Sequence, residues 1–479
     1  MAGHLTKERR DLIDTPVIDY LRMADRWDLL HDLLGGTFTM RAAAEKWLPK
    51  EEEESTKGYE VRRERSFLFN AYKNSIRRVV SKPFAKPVVV TGKLSERLAM
   101  IEKDVDRLGT DLTQLSRNMF EAGITYGLTH VLVDFSRMAP GATLADEQES
   151  EARPTFVHVK PPDLIGWRSE IDFVKGGRKL TQIRILEHSV EPEGMFIDKE
   201  VTRIRVFSEV DWQLWRSIVL DTGKKIFMLE DGGPHSFGAV PLATFYVERT
   251  GLLTADPPLE DLAEMNLMHW QSSSDQRNYL RFIRMGLLLA TGFDKKEIDK
   301  GITIGVNRML SSGNPDADLK YVEHEGKASE AGRTDLQDTE EQMEVLGAQP
   351  LIQRSVRTAT QRMIDESRVD TDAQAWVGGL ENTLVEMYRM AGRWIGEELP
   401  NDFKTDVNND FGISQKKIED TKNLIEMRKL GEISRETFLT EIRKLGTLSE
   451  GVDIEEEMAR IQDEGSTLIT MTADEEGEE

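Results

Sequence analysis

Cysteine is absent from all 479 residues, which excludes a disulfide framework, cysteine-ligated zinc or iron–sulfur sites and any thiol nucleophile. Long apolar runs are missing too. No segment approaches about 18 consecutive uncharged apolar residues, so no membrane-spanning helix and no membrane partner are expected. The first residues, MAGHLTKERRDLIDTPVIDYL, hold no apolar stretch of signal-peptide length, which predicts a chain made in the cytoplasm. Cations are in deficit, with 63 Lys and Arg against 86 Asp and Glu and a net charge of −23. That sign disfavours a broad basic face that grips nucleic acid tightly. It leaves open a passage through which a polyanion slides, because few cationic sites mean few traps. With 39% hydrophobic and 31% charged residues, two to four packed regions are expected.

The motifs of familiar chemistries are missing as well. The Gly-Lys pairs at Gly92, Gly223 and Gly326 lack the upstream glycine and downstream hydroxyl of a Walker A phosphate cradle, so the chain is not a packaging motor. There is no HExxH, no GxSxG and no histidine pair at ligand spacing among the eight histidines. His158 and His188 fall within strand-like segments and read as ordinary hydrogen-bonded histidines. Acids between Asp335 and Glu344 decorate one helix, whereas a metal needs carboxylates converging from several elements. No catalytic, cofactor-binding or metal-binding residue is assigned, and the chain is read as a non-enzyme without cofactors.

What is present reads as an α+β, mostly helical chain. A helix is expected over 15–34 with Thr15 as N-cap and Pro16 at its first position. WLPKEEEESTKGYEVRRERSFLFNAYKNSIRRVVSKPF then gives an acidic run followed by one long helix from about Tyr59 to Val80, carrying Arg62, Arg63, Arg65, Arg77 and Arg78. Nearby acids make a salt-paired, solvated helix the better reading than a nucleic-acid face. Helical character over 94–122 leads into ITYGLTHVLVDF (124–135), a buried strand, and a β-rich stretch to about 250. Residues 257–285 form a long helix, in which Met265, Met268 and His269 read as core or subunit contacts rather than a cofactor box. LLLATGF, ITIGVNRML and LKYVEHEG predict a compact module of about three strands. A second helix, about Ala328 to Leu346, carries Glu330, Asp335, Asp338, Glu340, Glu341 and Glu344 against Arg333. Gly347 and Pro350 then break the pattern, and its sign reverses at Arg354, Arg357 and Arg362. A further helix to about Leu399 has Gly378 and Gly379 in its middle, where a bend is expected. Short helices over 414–463 are capped by Ser414, Ser434 and Asp453, and an acidic, mobile tail follows.

This order of elements resembles the portal proteins of tailed bacteriophages. WLPKEEEES followed by Tyr59, Arg62 and Arg65, and LxxLAxxNLxHWQSSSDQRNYL over 259–280, are similar to signatures of a portal-like family of phage proteins of unknown function. The resemblance covers about residues 15–460. It implies a wing at 1–255, a first stem helix at 256–285, a clip at 286–326, a second stem helix at 327–346, a tunnel loop at 347–357, a long wing helix at 358–410, a helical crown at 411–465 and an acidic tail at 466–479. It further implies a ring of about twelve copies at one capsid vertex of the virion, through which double-stranded DNA is packaged and later ejected. The large terminase subunit would dock first and a head–tail adaptor would replace it, with major capsid and scaffolding proteins as further partners. Within that frame the sign change assigns Gln349, Gln353, Arg354 and Arg357 to the DNA channel, and Asp335, Asp338, Glu341 and Glu344 to an acidic stem face. Another virion structural protein, an adaptor or scaffold, and a DNA-processing enzyme are the alternatives. The β-rich stretch argues against a simple scaffold, and the missing motifs argue against an enzyme.

Overall fold

The computed structural model of the chain describes residues 12–135, 152–173, 176–285, 287–292, 314–316, 318–322, 327–351, 371–409, 424, 427–430 and 432–444. They divide into two units, one of residues 1–350 with 373–410 and one of 351–372 with 411–479. The fold is α+β.

In the first unit, helices α1 (Ile18–Gly35), α2 (Thr37–Ala43), α3 (Thr56–Arg65), α4 (Ala71–Ser81), α5 (Glu96–Lys103) and α6 (Leu112–Tyr126) precede most of the strands. A three-stranded antiparallel sheet has the order β3 (Pro154–Val159), β2 (Leu128–Phe135), β9 (Leu242–Tyr246). A five-stranded antiparallel meander runs β4 (Leu164–Ile171), β5 (Arg178–Pro192), β6 (Asp198–Ser208), β7 (Asp211–Val219), β8 (Lys225–Pro234). Strands alternate their side chains, and both faces of the meander are used. Ile183, Ile185 and Phe207 pack with Leu132, Val159 and Leu242 of the three-stranded sheet. Ile204, Val206 and Trp215 meet Ile13 and Tyr20 at the start of the chain. Strands β1 (Val89–Thr91) with β14 (Lys404–Asp406) and β10 (Arg249–Gly251) with β11 (Thr254–Ala255) form separate two-stranded antiparallel sheets.

Several boundaries differ from those expected. Helix α1 starts at Ile18, because the Val17 amide donates to the Ile165 carbonyl at 3.0 Å while Val17 is extended and Thr15 closes a turn on the Leu12 carbonyl. Thr15 is therefore not its cap. The helix expected from Tyr59 to Val80 is two, α3 and α4, separated by Ser66 to Asn70. The Asn70 side chain caps α4 by accepting from the Lys73 amide at 2.9 Å. Likewise α5 and α6 are split by a turn in which Gly109 has φ 91° and Asp104 accepts from its amide at 3.0 Å. Gly127, left-handed at φ 85°, ends α6 and releases the chain into β2. A Cβ on Gly123 would lie 2.5 Å from the Phe245 ring, so that glycine seats α6 against β9.

Two long helices, α7 (Glu260–Met285) and α8 (Lys327–Ala348), bracket a two-stranded antiparallel pair, β12 (Leu287–Thr291) with β13 (Asp318–Val322). ITIGVNRML, expected as a third strand, lies outside the described residues. Helix α9 (Asp372–Ile395) runs through Gly378 and Gly379 without interruption, so the expected bend is absent there; a Cβ on Gly379 would lie 3.6 Å from the Phe245 ring, an ordinary contact. Trp394 near its end donates to the Val133 carbonyl at 2.7 Å, tying α9 to β2. In the second unit α10 (Arg435–Lys444) is capped by Ser434, which accepts from the Thr437 amide at 3.1 Å. Ser414, Asp453 and the acidic tail lie outside the described residues.

Candidate functional site

Helix α7 is where the two quoted sequence patterns meet. Asn266 is fully buried, and its amide satisfies the break between α3 and α4: Nδ2 donates to the Phe69 carbonyl at 2.8 Å and Oδ1 accepts from the Tyr72 amide at 3.0 Å. A buried, unpaired backbone group would be costly, so Asn266 stabilises a non-helical segment that local propensity alone would not hold. Farther along, Gln271 donates to the Trp47 carbonyl at 2.7 Å, and the Trp47 indole donates to Asp32 at 2.7 Å. Arg62 completes the clasp. Its side chain is 3% exposed; Nε and Nη2 donate to the two Glu54 oxygens at 2.9 and 2.8 Å, Nη2 also to the Pro49 carbonyl at 2.7 Å, and Nη1 lies 3.5 Å from Asp275. The hydrogen bond from Arg62 holds the Glu54 carboxyl below the usual range, and the same bond keeps Arg62 charged. Burial pushes Asp275 up despite the neighbouring guanidinium.

On its other side α7 carries α8, running antiparallel. A Cβ on Gly347 would lie 3.5 Å from Leu262, His269 Nε2 lies 3.1 Å from Glu340, and Gln276 donates to the Ser329 carbonyl at 2.8 Å. Gly347 does not break the helix as expected. It lies inside α8, buried, where a Cβ would come 2.0 Å from the Ser75 hydroxyl, so its lack of a side chain lets α8 close onto α4. The helix ends at Ala348, with Pro350 buried in the short 3-10 turn that follows.

Asp335, Asp338, Glu341 and Glu344 are all exposed. Residues three apart drift round a helix of about 3.6 residues per turn, so the four acids wind across the outer half of α8 rather than stacking on one narrow face. Asp338 and Glu341 rim a groove of about 580 Å³ lined also by Met265, Gln342, Val345 and Leu346. Gln349 is exposed just beyond α8, whereas Gln353, Arg354 and Arg357 lie outside the described residues. The structure therefore brings the acids together but does not describe the donors assigned to the channel.

Residues 258–395 match the family model of a domain of unknown function (DUF4055). That stretch holds α7, the β12–β13 pair, α8 and α9, so it includes the site just described. No curated protein matches. Among solved structures, the chain is similar to a chain of the virion of a native gene transfer agent particle, at 10% identity and TM-score 0.36, over 78% of this chain and 88% of that one. It is similar also to a chain in the neck of an empty gene transfer agent particle computed with C6 symmetry, at 9% identity and TM-score 0.37, over 85% and 93%. A chain in the neck of the native particle computed with C12 symmetry matches at 10% identity and TM-score 0.36, over 78% and 88%.

Other expected features find their places as follows. Of the arginines in the basic segment, Arg62 is ion-paired and buried, while Arg65, Arg77 and Arg78 are exposed. The salt-paired reading therefore holds for Arg62. His158 accepts or donates at 2.8 Å to Thr129 within the sheet, and burial lowers its pKa to about 4; neighbouring His130 is lowered to about 3 by the same cause. Met268 is 64% exposed and Met265 lines the groove, so neither fills the core of the chain. Among the described residues no three His, Asp or Glu side chains converge on a metal-sized site, and no helix is long and apolar enough to cross a membrane. Sequence reasoning missed Asn266, and it expected the arginines to be salt-paired at a solvated surface, whereas the Arg62–Glu54 pair is buried.

Proposed function

We propose that the chain is a portal-type connector of a phage-like virion: a ring of about twelve copies around a passage for double-stranded DNA, with structural rather than enzymatic work to do. The observation that carries this reading is the long antiparallel pair α7 and α8, which belongs to the same α+β unit as the sheets, brackets a small β pair and carries exposed acids along α8. Such a helical pair, clasped at its base by buried Arg62 and Asn266, is a stiff strut. A dozen struts side by side would form a wall.

In this assignment α7 and α8 are the stem, 286–326 the clip that receives terminase and then a head–tail adaptor, and 347–357 the tunnel loop with Gln349, Gln353, Arg354 and Arg357 toward DNA. The acidic stripe from Asp335 to Glu344 borders the passage, where it repels phosphate and keeps the polyanion from sticking. Negative-stain microscopy of the purified full chain tests the proposal. Closed rings with a central hole, formed without nucleotide or metal, are the expected outcome; a chain that stays monomeric at micromolar concentration and is absent from particle vertices overturns it.

A further inference from the structure

Two flanks of the α3–α7–α8 layer carry opposite chemistry. On one, Arg277 and Arg281 of α7 are exposed beside Arg65 at the end of α3. The Arg277 guanidinium lies 5.6 Å over the ring of Phe67, which is 53% exposed, and its Nη1 is within 3.5 Å of the Arg65 carbonyl oxygen. None of these three arginines has an ion-pair partner among the described residues, although Glu60 and Glu64 lie on α3 itself. The result is an aromatic ridge edged with cations.

The other flank is its complement. The groove between α7 and α8 has an apolar lining of Met265, Val345 and Leu346 and an acidic rim that includes Asp338, with Asp335 exposed one turn earlier on α8. Val345 is 61% exposed and Met268 of α7 is 64% exposed. At about 3.6 residues per turn, Arg277 falls about a third of a turn round α7 from Met265, which lines the groove, and just over three turns along the helix. Ridge and groove thus lie on different flanks of α7 and at different levels along it, and they do not pair with each other within one chain.

We infer that the Arg65–Arg277–Arg281 ridge of one copy docks against the acidic edge of α8 at Asp335 and Asp338, beside the α7–α8 groove, on a second copy of this chain. The contact joins two different faces, so it propagates head to tail and closes into a ring when the rotation allows. It rests on the ring reading above and deepens it by dividing the acidic stripe: Asp335 and Asp338 meet a neighbour's arginines, and Glu341 and Glu344 remain for the passage. It also places opposite charges together where copies of net charge −23 would otherwise repel.

Charge reversal on full-length protein tests this. One variant carries Arg65→Glu and Arg277→Glu, the other Asp335→Lys and Asp338→Lys; all four side chains are exposed. By mass photometry, each variant alone should need about tenfold more protein than the wild type to assemble, the loss of about 1.4 kcal/mol per contact. An equimolar mixture should recover assembly, because each reversed ridge then finds a reversed rim; misfolded variants could not recover in this way. If both variants assemble as the wild type does, or the mixture fails to recover, the docking faces are wrong while the ring reading stands. A wild type that never assembles overturns the ring reading itself. Variants that assemble normally but lose binding to a short DNA duplex would make the ridge a phosphate contact and overturn the docking inference.

Discussion

Arg62 is tolerated below the surface because its donors meet Glu54, the Pro49 carbonyl and Asp275 at hydrogen-bonding or ion-pair distance. Removing one member of such a pair leaves an uncompensated charge, which costs about 3–5 kcal/mol in well-buried cases. Glu54 sits at the edge of the clasp, with 11% of its side chain exposed, so Glu54→Ala should lower stability by about 3 kcal/mol, at the low end of that range. The pH dependence follows from the depressed carboxyl. A group whose folded pKa lies below its ordinary value of 4.5 contributes stability above that value and loses it as pH falls through the folded pKa. Urea denaturation at several pH values should therefore show wild type and variant converging below about pH 4.5. A constant gap between them down to pH 3 would show that Glu54 acts through packing rather than charge.

Elements were legible where periodicity was unbroken and misread where a distant residue set the boundary. Helices α7 and α8 lie close to their expected ranges because neither holds an internal proline to break it. The single helix expected from Tyr59 to Val80 failed because Asn266, almost 200 residues away in sequence, supplies the partners that make an extended break at Phe69 favourable. Gly347 was misread for a related reason. Glycine signals a break from sequence alone, yet here it marks a close approach of α8 to Ser75 on α4. The β12–β13 pair between the stem helices belongs to the clip in the proposed assignment. Replacing residues 286–326 with a Gly/Ser linker should leave the sheets folded by circular dichroism and abolish DNA packaging in an infection complementation assay. Unimpaired packaging would remove the clip from that role.

For the whole molecule, the proposed passage needs surfaces that repel phosphate and a few contacts that steady it. Each solvent-screened arginine–phosphate contact is worth about 1 kcal/mol at most, so a ring of them holds DNA without arresting it. Replacing Arg354 and Arg357 together by glutamine should leave assembly unchanged and alter the fraction of particles that retain a full genome, read by cryo-electron microscopy of filled and empty heads. Rings that fall apart while surviving particles handle DNA normally would reassign both residues to the subunit interface. These arginines were chosen from the abrupt change of sign after Glu344, and that signal is independent of the fold.

Some properties followed from the chain alone. The 479 residues hold no thiol and no Walker A pattern, and the long helices, the β-rich stretch and the run of acids were legible, because each of these depends on local spacing or on residue types. Tertiary structure decided the rest. Only packing shows that the Trp47–Arg62 segment and the Asn266–Asp275 stretch are two halves of one clasp, that His130 and His158 are neutral inside a sheet, and that a cationic ridge and an acid-rimmed groove lie on different flanks of α7. The physical reason is the same in each case: burial and hydrogen-bond satisfaction depend on partners far apart in sequence, and a linear pattern carries no record of which distant group will supply the missing donor or acceptor.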